Sequence, residues 1–449
     1  MKRKPISIMR YFYSVFLIVF SIIILESCSK QDSYVSYQPV ATNYSAKVAA
    51  DWMQALRKVV QSETKNPPQA SRIYAYAAIG LYEAVMPGMP GYKSLEGQIP
   101  DLTNLPNSRS YGRLDYTIAA NEALYQISSK VFGSLKPENL AMMEDLHARY
   151  LGSASATVSA DVTGESKYFG KMIAEAVMNR ANNDNFAATR NLSYIVPSPA
   201  VNPGFWAPTN AVLTPLEPHW GKIKCFAMAK SDACTILSAI PFNTDKNSAF
   251  YKQAEEVVTT SQHLTGDQKA IAHWWADNSG QTATPPGHWV AIADQLAVQR
   301  NMSLGKAAEM YAFLNIAMAD AFISCWDEKF KLNLLRPVTY IRNFTPGNTS
   351  WSPLIATPPF PEYPSGHSVA SAAAGEILTH LLGNSSFTDS SNVHLGLAPR
   401  TYNSFTEAAN EAALSRLYGG IHFREAIENG MKQGKEVSKA LFEKLKLSN

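Results

Sequence analysis

The stretch LGKAAEMYAFLNIAMADAFISCWDEKF, residues 304–330, decides the fold class. It contains no proline, and its apolar residues recur at helical rather than alternating spacing, so it reads as one long buried helix. Its most apolar part, residues 313–326, is too short to cross a bilayer and carries Asp320. The same pattern extends in both directions. Helical periodicity begins at Tyr44, with Val48, Met53, Leu56 and Val60 on one side, and stops at Pro67-Pro68. It returns over residues 71–85, 114–132, 137–150, 159–182, 249–262, 265–276 and 288–300. Beyond the opening stretch it returns over 368–382, 405–417 and 423–445. The last segment carries an apolar stripe from Phe423 to Leu441, with Gly430 and Gly434 placed for close helix contact.

Residues 190–222 break this pattern with six prolines set among Trp206 and Trp220, which reads as an ordered crossing loop rather than a flexible linker. The expected fold is all-α: a large helical protein of two packed bundles, with long Pro-rich loops and little β. The N-terminal helical half is residues 44–189 and the C-terminal half residues 223–449.

The 449 residues are 46% hydrophobic and 17% charged, enough for a large core. Forty Lys+Arg against 37 Asp+Glu give a net charge of +3 and no nucleic-acid signal. Lys2, Arg3, Lys4 and Arg10 precede an apolar run over residues 11–25 that ends in Leu25-Glu26-Ser27-Cys28. This resembles a lipoprotein signal, although Glu26 stands where a small residue is usual. The expectation is a signal peptide over 1–27, lipidation at Cys28 and a tether over 28–43. That places the protein in the bacterial cell envelope, periplasmic or at the outer membrane, held to the membrane by the lipid alone. Cys225, Cys234 and Cys325 show no zinc-ligand spacing, and a Cys225 to Cys234 bridge is left open by sequence.

Three strings carry chemistry. Lys329 and Arg336 are seven apart, so on a continuous helix they would point the same way, with Pro337 ending it. Their neighbours Trp326, Phe330, Leu332, Leu334 and Leu335 are too apolar for a solvated face. Pro364-Ser365-Gly366-His367 precedes an Ala-rich helix, which puts Ser365 at its cap and the Gly366 N–H at its positive end. Arg416 and His422 flank Gly419-Gly420, whose break lets both side chains turn inward. Taken singly, each string has a bland reading as a solvated face or a helix end. Together they supply three cations, a hydroxyl, a helix start and two histidines, which is what a tetrahedral oxyanion requires.

The strings resemble those of the superfamily of vanadium-dependent haloperoxidases and type 2 phosphatidic acid phosphatases. Trp326-Asp327-Glu328-Lys329 and Phe360-Pro361-Glu362-Tyr363-Pro364-Ser365-Gly366-His367 are most similar to its bacterial chloroperoxidase-like branch. The resemblance implies that Lys329, Arg336 and Arg416 neutralise the anion's oxygens, with Ser365 and the Gly366 N–H as further donors. It implies His422 as the axial ligand of vanadium and His367 as acid or base, with Lys329 also polarising bound peroxide. It further implies Asp277 as the acidic partner of an anion-binding arginine and Phe360 as a halide-selecting or plain core aromatic.

Two reactions share these residues. With vanadate, hydrogen peroxide would oxidise halide; with a phosphate ester, His422 would form a phosphohistidine and His367 would protonate the leaving alcohol. A non-catalytic oxyanion-binding lipoprotein is a third reading. Where the superfamily continues His-x3-Asp after the axial histidine, this chain has Ala426, which leaves open how His422 is oriented. Of the other histidines, read as structural or exposed, His273 and His288 flank Asp277.

Overall fold

The structure, a computed structural model, describes residues 38–209, 214–236 and 240–447. The signal peptide, Cys28 and most of the tether lie outside the described residues. In chain order the helices are α1 (Lys47–Ser62), α2 (Pro67–Val85), α3 (Tyr116–Val131), α4 (Pro137–Ser155), α5 (Ala160–Asn182), α6 (Phe186–Thr189) and α7 (Ala249–Gln262). They continue with α8 (Gly266–Trp274), α9 (Thr284–Gln299), α10 (Leu304–Leu332), α11 (Pro337–Phe344), α12 (Gly366–Leu382), α13 (Phe405–Tyr418) and α14 (Arg424–Lys444). One antiparallel pair, β1 (Phe387–Asp389) and β2 (Arg400–Tyr402), sets Phe387 opposite Tyr402 and Asp389 opposite Arg400. Among the described residues no helix is long and apolar enough to cross a membrane.

The long stretch that decides the fold class is α10. The Ser303 hydroxyl starts it by accepting the Lys306 N–H, and most residues from Leu304 to Lys329 are buried. A helix apolar on every side must be enclosed on every side. It packs on α2 along one flank and on α12 along the other. Behind α2 stand α3 and α5, and behind α12 stand α13 and α14. The helical groups thus share α10, and one apolar core runs through it from Ala41 to Leu447. A smaller cluster, including Phe250, Leu335, Tyr340 and Phe423, joins α7, α11 and α13 to the start of α14.

Glycines let α14 lie against α12. A Cβ at Gly434 would fall 2.2 Å from the Val369 carbonyl oxygen, and one at Gly430 would fall 2.8 Å from Ser368 Cβ. Backbone cannot yield as a side-chain tip can. Gly434→Ala is therefore expected to destabilise the protein by roughly 1–3 kcal/mol, read as a lower urea midpoint with an unchanged slope.

Some local expectations are corrected. Lys329 and Arg336 do not share a helix: α10 ends at Leu332, Asn333 turns left-handed at φ 51°, and Arg336 is the extended N-cap of α11. The ring of Pro337 keeps the preceding residue out of the helical region, and asparagine tolerates the left-handed turn. Proline also opens α2 at Pro67, ahead of the expected residue 71, because the first helical N–H has no partner to lose. In the described part of residues 190–222 Trp206 and Trp220 are buried, and Phe205 bridges to Leu334. Cys225 and Cys234 are separate buried thiols.

Candidate oxyanion site

Four pieces of chain converge on one place: the end of α10, the turn into α11, the loop entering α12, and the turn between α13 and α14. Beside them lies a cavity of about 430 Å³, also lined by Thr64, Asn66, Pro67 and residues 276–279, whose polar lining includes Asp277, Gly366, His367, Arg416 and His422. Its apolar side includes Leu216, Phe322, Trp326, Ile355 and Phe360. Lys329, Arg336 and Ser365 are fully buried and pack against these lining residues.

Local chain chemistry explains the placement. Ser365 caps α12 through the Ser368 N–H, which leaves the amides of Gly366 and His367 at the helix start without intrahelical acceptors. A Cβ on Gly366 would press on the Trp326 ring at 3.2 Å. Gly420, at φ 74°, turns the chain from α13 into α14, a conformation costly for any residue with a Cβ. That turn brings His422 back toward Arg416. Arg416 is braced by Ser415 Oγ and by the Trp275 carbonyl.

His422 is held from an unexpected direction. Its Nδ1 lies 2.8 Å from Glu362 Oε1, which also accepts the Phe423 N–H at 2.9 Å. A carboxylate oxygen only accepts, so the network assigns the proton to Nδ1 and the lone pair to Nε2. Arg336 Nη1 reaches Nε2 at 3.0 Å. Burial, reinforced by the charges of Arg336 and Lys329, holds the imidazole well below the usual histidine range, so it is neutral. Ala426 is buried and plays no part in this; Glu362 supplies the orienting carboxylate. Glu425 points elsewhere and accepts the Ile240 N–H. Burial pushes Glu362 up to about 7, against the opposing fields of Lys329 and Arg336.

The cations divide their work. Lys329 donates to the carbonyls of Pro361, at 3.0 Å, and Glu362, at 2.8 Å, and to that of Pro364. Burial lowers it to about 7, yet three carbonyl acceptors require three N–H groups, so this geometry holds the ammonium form. Its donors brace the loop that carries Glu362, and its charge sits 5.2 Å from the Phe360 ring centre. Arg336 gives Nε to the Phe360 carbonyl and Nη1 to the Ile421 carbonyl. Among the described residues its buried Nη2 has no partner, and neither has His367 Nε2. Burial lowers Arg336 and Arg416 to about 10, still charged at neutral pH. Burial and the charge of Arg416 hold His367 well below its usual range. A free guanidinium N–H, an imidazole nitrogen, helix-start amides and the His422 lone pair fit a tetrahedral oxyanion such as vanadate or phosphate.

Asp277 is an acidic neighbour of Arg416, acting on it through charge. Its hydrogen bonds go to His288, at 2.9 and 3.1 Å from Nδ1. Its Oδ2 is 3.8 Å from His367 Nε2. The other nitrogen of His288 lies 2.7 Å from Asp389 Oδ2. Nothing in the spacing of residues 277, 288 and 389 signals this group, because a hairpin assembles it. Burial alone would lower His288, but the two carboxylates outweigh it and raise the imidazole to about 10. A cation favoured by folding stabilises fully below the ordinary histidine value of about 6.5 and ceases to as pH passes the folded value. The stability difference between the protein and His288→Gln should therefore narrow as pH rises from about 7 to about 11, as followed by thermal unfolding.

An all-helical scaffold that focuses buried cations and a neutral imidazole lone pair on one cavity defines an oxyanion-using enzyme. Residues 309–448 match the family described as the VCPO second helical-bundle domain. The chain is similar to a structure described as the first bacterial vanadium-dependent iodoperoxidase, at 35% identity and a TM-score of 0.83, covering 91% of this chain and 98% of that one. A holo-type bacterial vanadium-dependent chloroperoxidase shares the fold, at 18% identity and a TM-score of 0.65, over 84% of this chain and 92% of that one. The vanadium chloroperoxidase of Curvularia inaequalis is 30% identical over 134 residues, 25% of this chain, and the match spans only 22% of that protein. The chain belongs to the vanadium-dependent haloperoxidase family, and is an enzyme of that family.

Proposed function

We propose that this enzyme oxidises halide with hydrogen peroxide, iodide foremost, using a vanadate held at His422. The observation that carries the reading is His422 Nε2, left without a proton by burial and the neighbouring cations while Glu362 holds the Nδ1–H, beside an Arg336 Nη2 that has no hydrogen-bond partner among the described residues. Iodide is favoured by the 35% identity to the iodoperoxidase across almost all of that chain. Vanadate supplies a Lewis-acidic centre that activates peroxide toward halide.

The chain's own groups do the rest. Arg336, Arg416 and the amides of Gly366 and His367 spread the anion's charge. Lys329 acts through its field and by bracing the Glu362 loop. One halide, one peroxide and one proton give hypohalous acid and water, so a proton must be handled at the anion. His367, which lines the cavity and whose Nε2 has no hydrogen-bond partner among the described residues, is the group placed to do it. Phe360 and Trp326, with ring centres 5.0 Å apart, form an apolar wall that keeps bulk water off the halide.

The test is reconstitution with orthovanadate, followed by peroxide-dependent oxidation of iodide, bromide and chloride, with the vanadate-free protein offered a phosphate ester. Iodide oxidation that inorganic phosphate suppresses competitively is the expected result. Ester hydrolysis without halide oxidation would establish the phosphatase reading instead. We also infer attachment to the cell envelope through Cys28, on the signal sequence alone. Labelled fatty acid should enter the protein in cells and not its Cys28→Ser variant.

A further inference from the structure

His288 has no task in the reaction as described, yet it occupies the most constrained position near it. Its side chain is 1% exposed. Both ring nitrogens face carboxylate oxygens, Asp277 on one side and Asp389 on the other. A neutral imidazole has one N–H, and its bare nitrogen would then set a lone pair against carboxylate lone pairs at hydrogen-bond distance. With both aspartates ionised, the geometry therefore calls for a proton on each nitrogen. The ring plane is fixed by Trp275, stacked at 4.2 Å and 17°.

This cation is expensive to place. It is the fifth residue of α9, close to the positive end of a helix, where a positive charge is disfavoured. Its counter-ions come from separate parts of the chain. Asp389 is delivered by the β1–β2 hairpin and completed by Trp274 Nε1 at 3.0 Å and the Ser391 N–H at 2.9 Å. Asp277 sits on a left-handed backbone at φ 49°, a single-residue turn that a short polar side chain tolerates. Asp277 borders the main cavity and also a second one of about 330 Å³, lined in part by Arg57, His288 and Asn392. Asn392 adds a long contact to Asp277 Oδ1 at 3.4 Å. Without His288, Asp277 would be free to relax its backbone or turn onto Arg416, whose charge is near enough to pull it.

We propose that His288 is a positioning residue: bridged to Asp389, it clamps the Asp277 carboxylate in place 3.8 Å from His367 Nε2 and beside Arg416, and so fixes how the His367 ring stands at the anion site. The functional part of this rests on the reading of His367 as the proton-handling group. The clamp itself does not.

Nitrogen NMR of the vanadate-free protein tests the clamp directly. Both His288 nitrogens should carry protons at pH 8, and a neutral tautomer at that pH overturns the proposal whatever the enzyme does. His288→Gln and Asp389→Asn, neither of which touches the anion, test the consequence. Each should lower kcat for iodide oxidation by about 10-fold or more with KM for iodide changed less than about twofold, the scale expected of an outer partner of a catalytic group. The double variant should be no slower than the slower single one. Variants that melt earlier but keep kcat would reduce the clamp to a structural role and sink the proposal. Should the protein oxidise no halide at all, calorimetric titration with inorganic phosphate takes the place of kcat. An affinity equal in all three proteins then removes the link between His288 and the site, while the NMR result still decides the clamp.

Discussion

Replacing His422 by alanine is expected to abolish vanadate-dependent iodide oxidation, a fall on the order of 10³-fold or more, because a ligand and not merely a donor is removed. His422 lines the cavity, and its Nε2 lone pair, which accepts the Arg336 Nη1 N–H at 3.0 Å, is the one a bound vanadate would take over from that guanidinium. The guanidinium and ammonium groups are donors alone and cannot replace it. The substitution also strands its partner: Glu362 keeps the Phe423 N–H but loses the imidazole, deep in the core. Some stability will therefore go as well, and the assay has to be made below the unfolding midpoint of the variant. Electrostatic capture of an anion should survive in part, since Arg336, Arg416 and the start of α12 remain. The expected pattern is weak phosphate binding without iodide oxidation. A variant within about tenfold of the parent rate would remove His422 from the role assigned to it.

The extent to which this site is legible from the sequence follows from what each residue depends on. The helical scaffold was readable because its signal is local: α10 is apolar along its length, and a helix of that kind must lie inside. The ligands were readable because each string has its own physics, a cap at Ser365, a glycine break at Gly419-Gly420, cations among apolar neighbours. The strings meet in the structure, in one case by a route that helical spacing does not describe. Lys329 and Arg336 meet through the reversal at Asn333 and Pro337, not through helical register.

The supports were not readable, because they depend on pairings between distant segments. Glu362 reaches His422 across 60 positions, and Asp389 reaches His288 across 101. Ala426 breaks the His-x3-Asp pattern, and the orienting carboxylate comes instead from Glu362, outside that helix turn. A glutamate within an otherwise apolar and proline-rich string, Phe360 to Pro364, was the one available hint. A charged residue there must be either exposed or paired, and it is fully buried.

Exchanging Glu362 for glutamine separates what that carboxylate does by shape from what it does by charge. Glutamine can keep its oxygen where Oε1 now accepts both the His422 Nδ1–H and the Phe423 N–H, and set its amide where the unpartnered Oε2 lies. Orientation of the imidazole is then preserved and one negative charge is lost. A carboxylate behind a ligating histidine raises its basicity, and loss of such a partner costs typically 10- to 100-fold in affinity for what it ligates. Vanadate, which uses the lone pair, should therefore bind Glu362→Gln about 10- to 100-fold more weakly. Inorganic phosphate, held by cations without that bond, should bind at least as well, because the charge that offsets Lys329 and Arg336 has gone. Glu362→Ala goes further and leaves the Nδ1–H and the Phe423 N–H buried and unpaired, at about 1–3 kcal/mol each, so both anions should bind more weakly and the unfolding midpoint should fall. Parallel titrations of the two anions into the three proteins read the difference, and a glutamine variant that holds vanadate within about twofold of the parent would show that orientation alone is the work of Glu362.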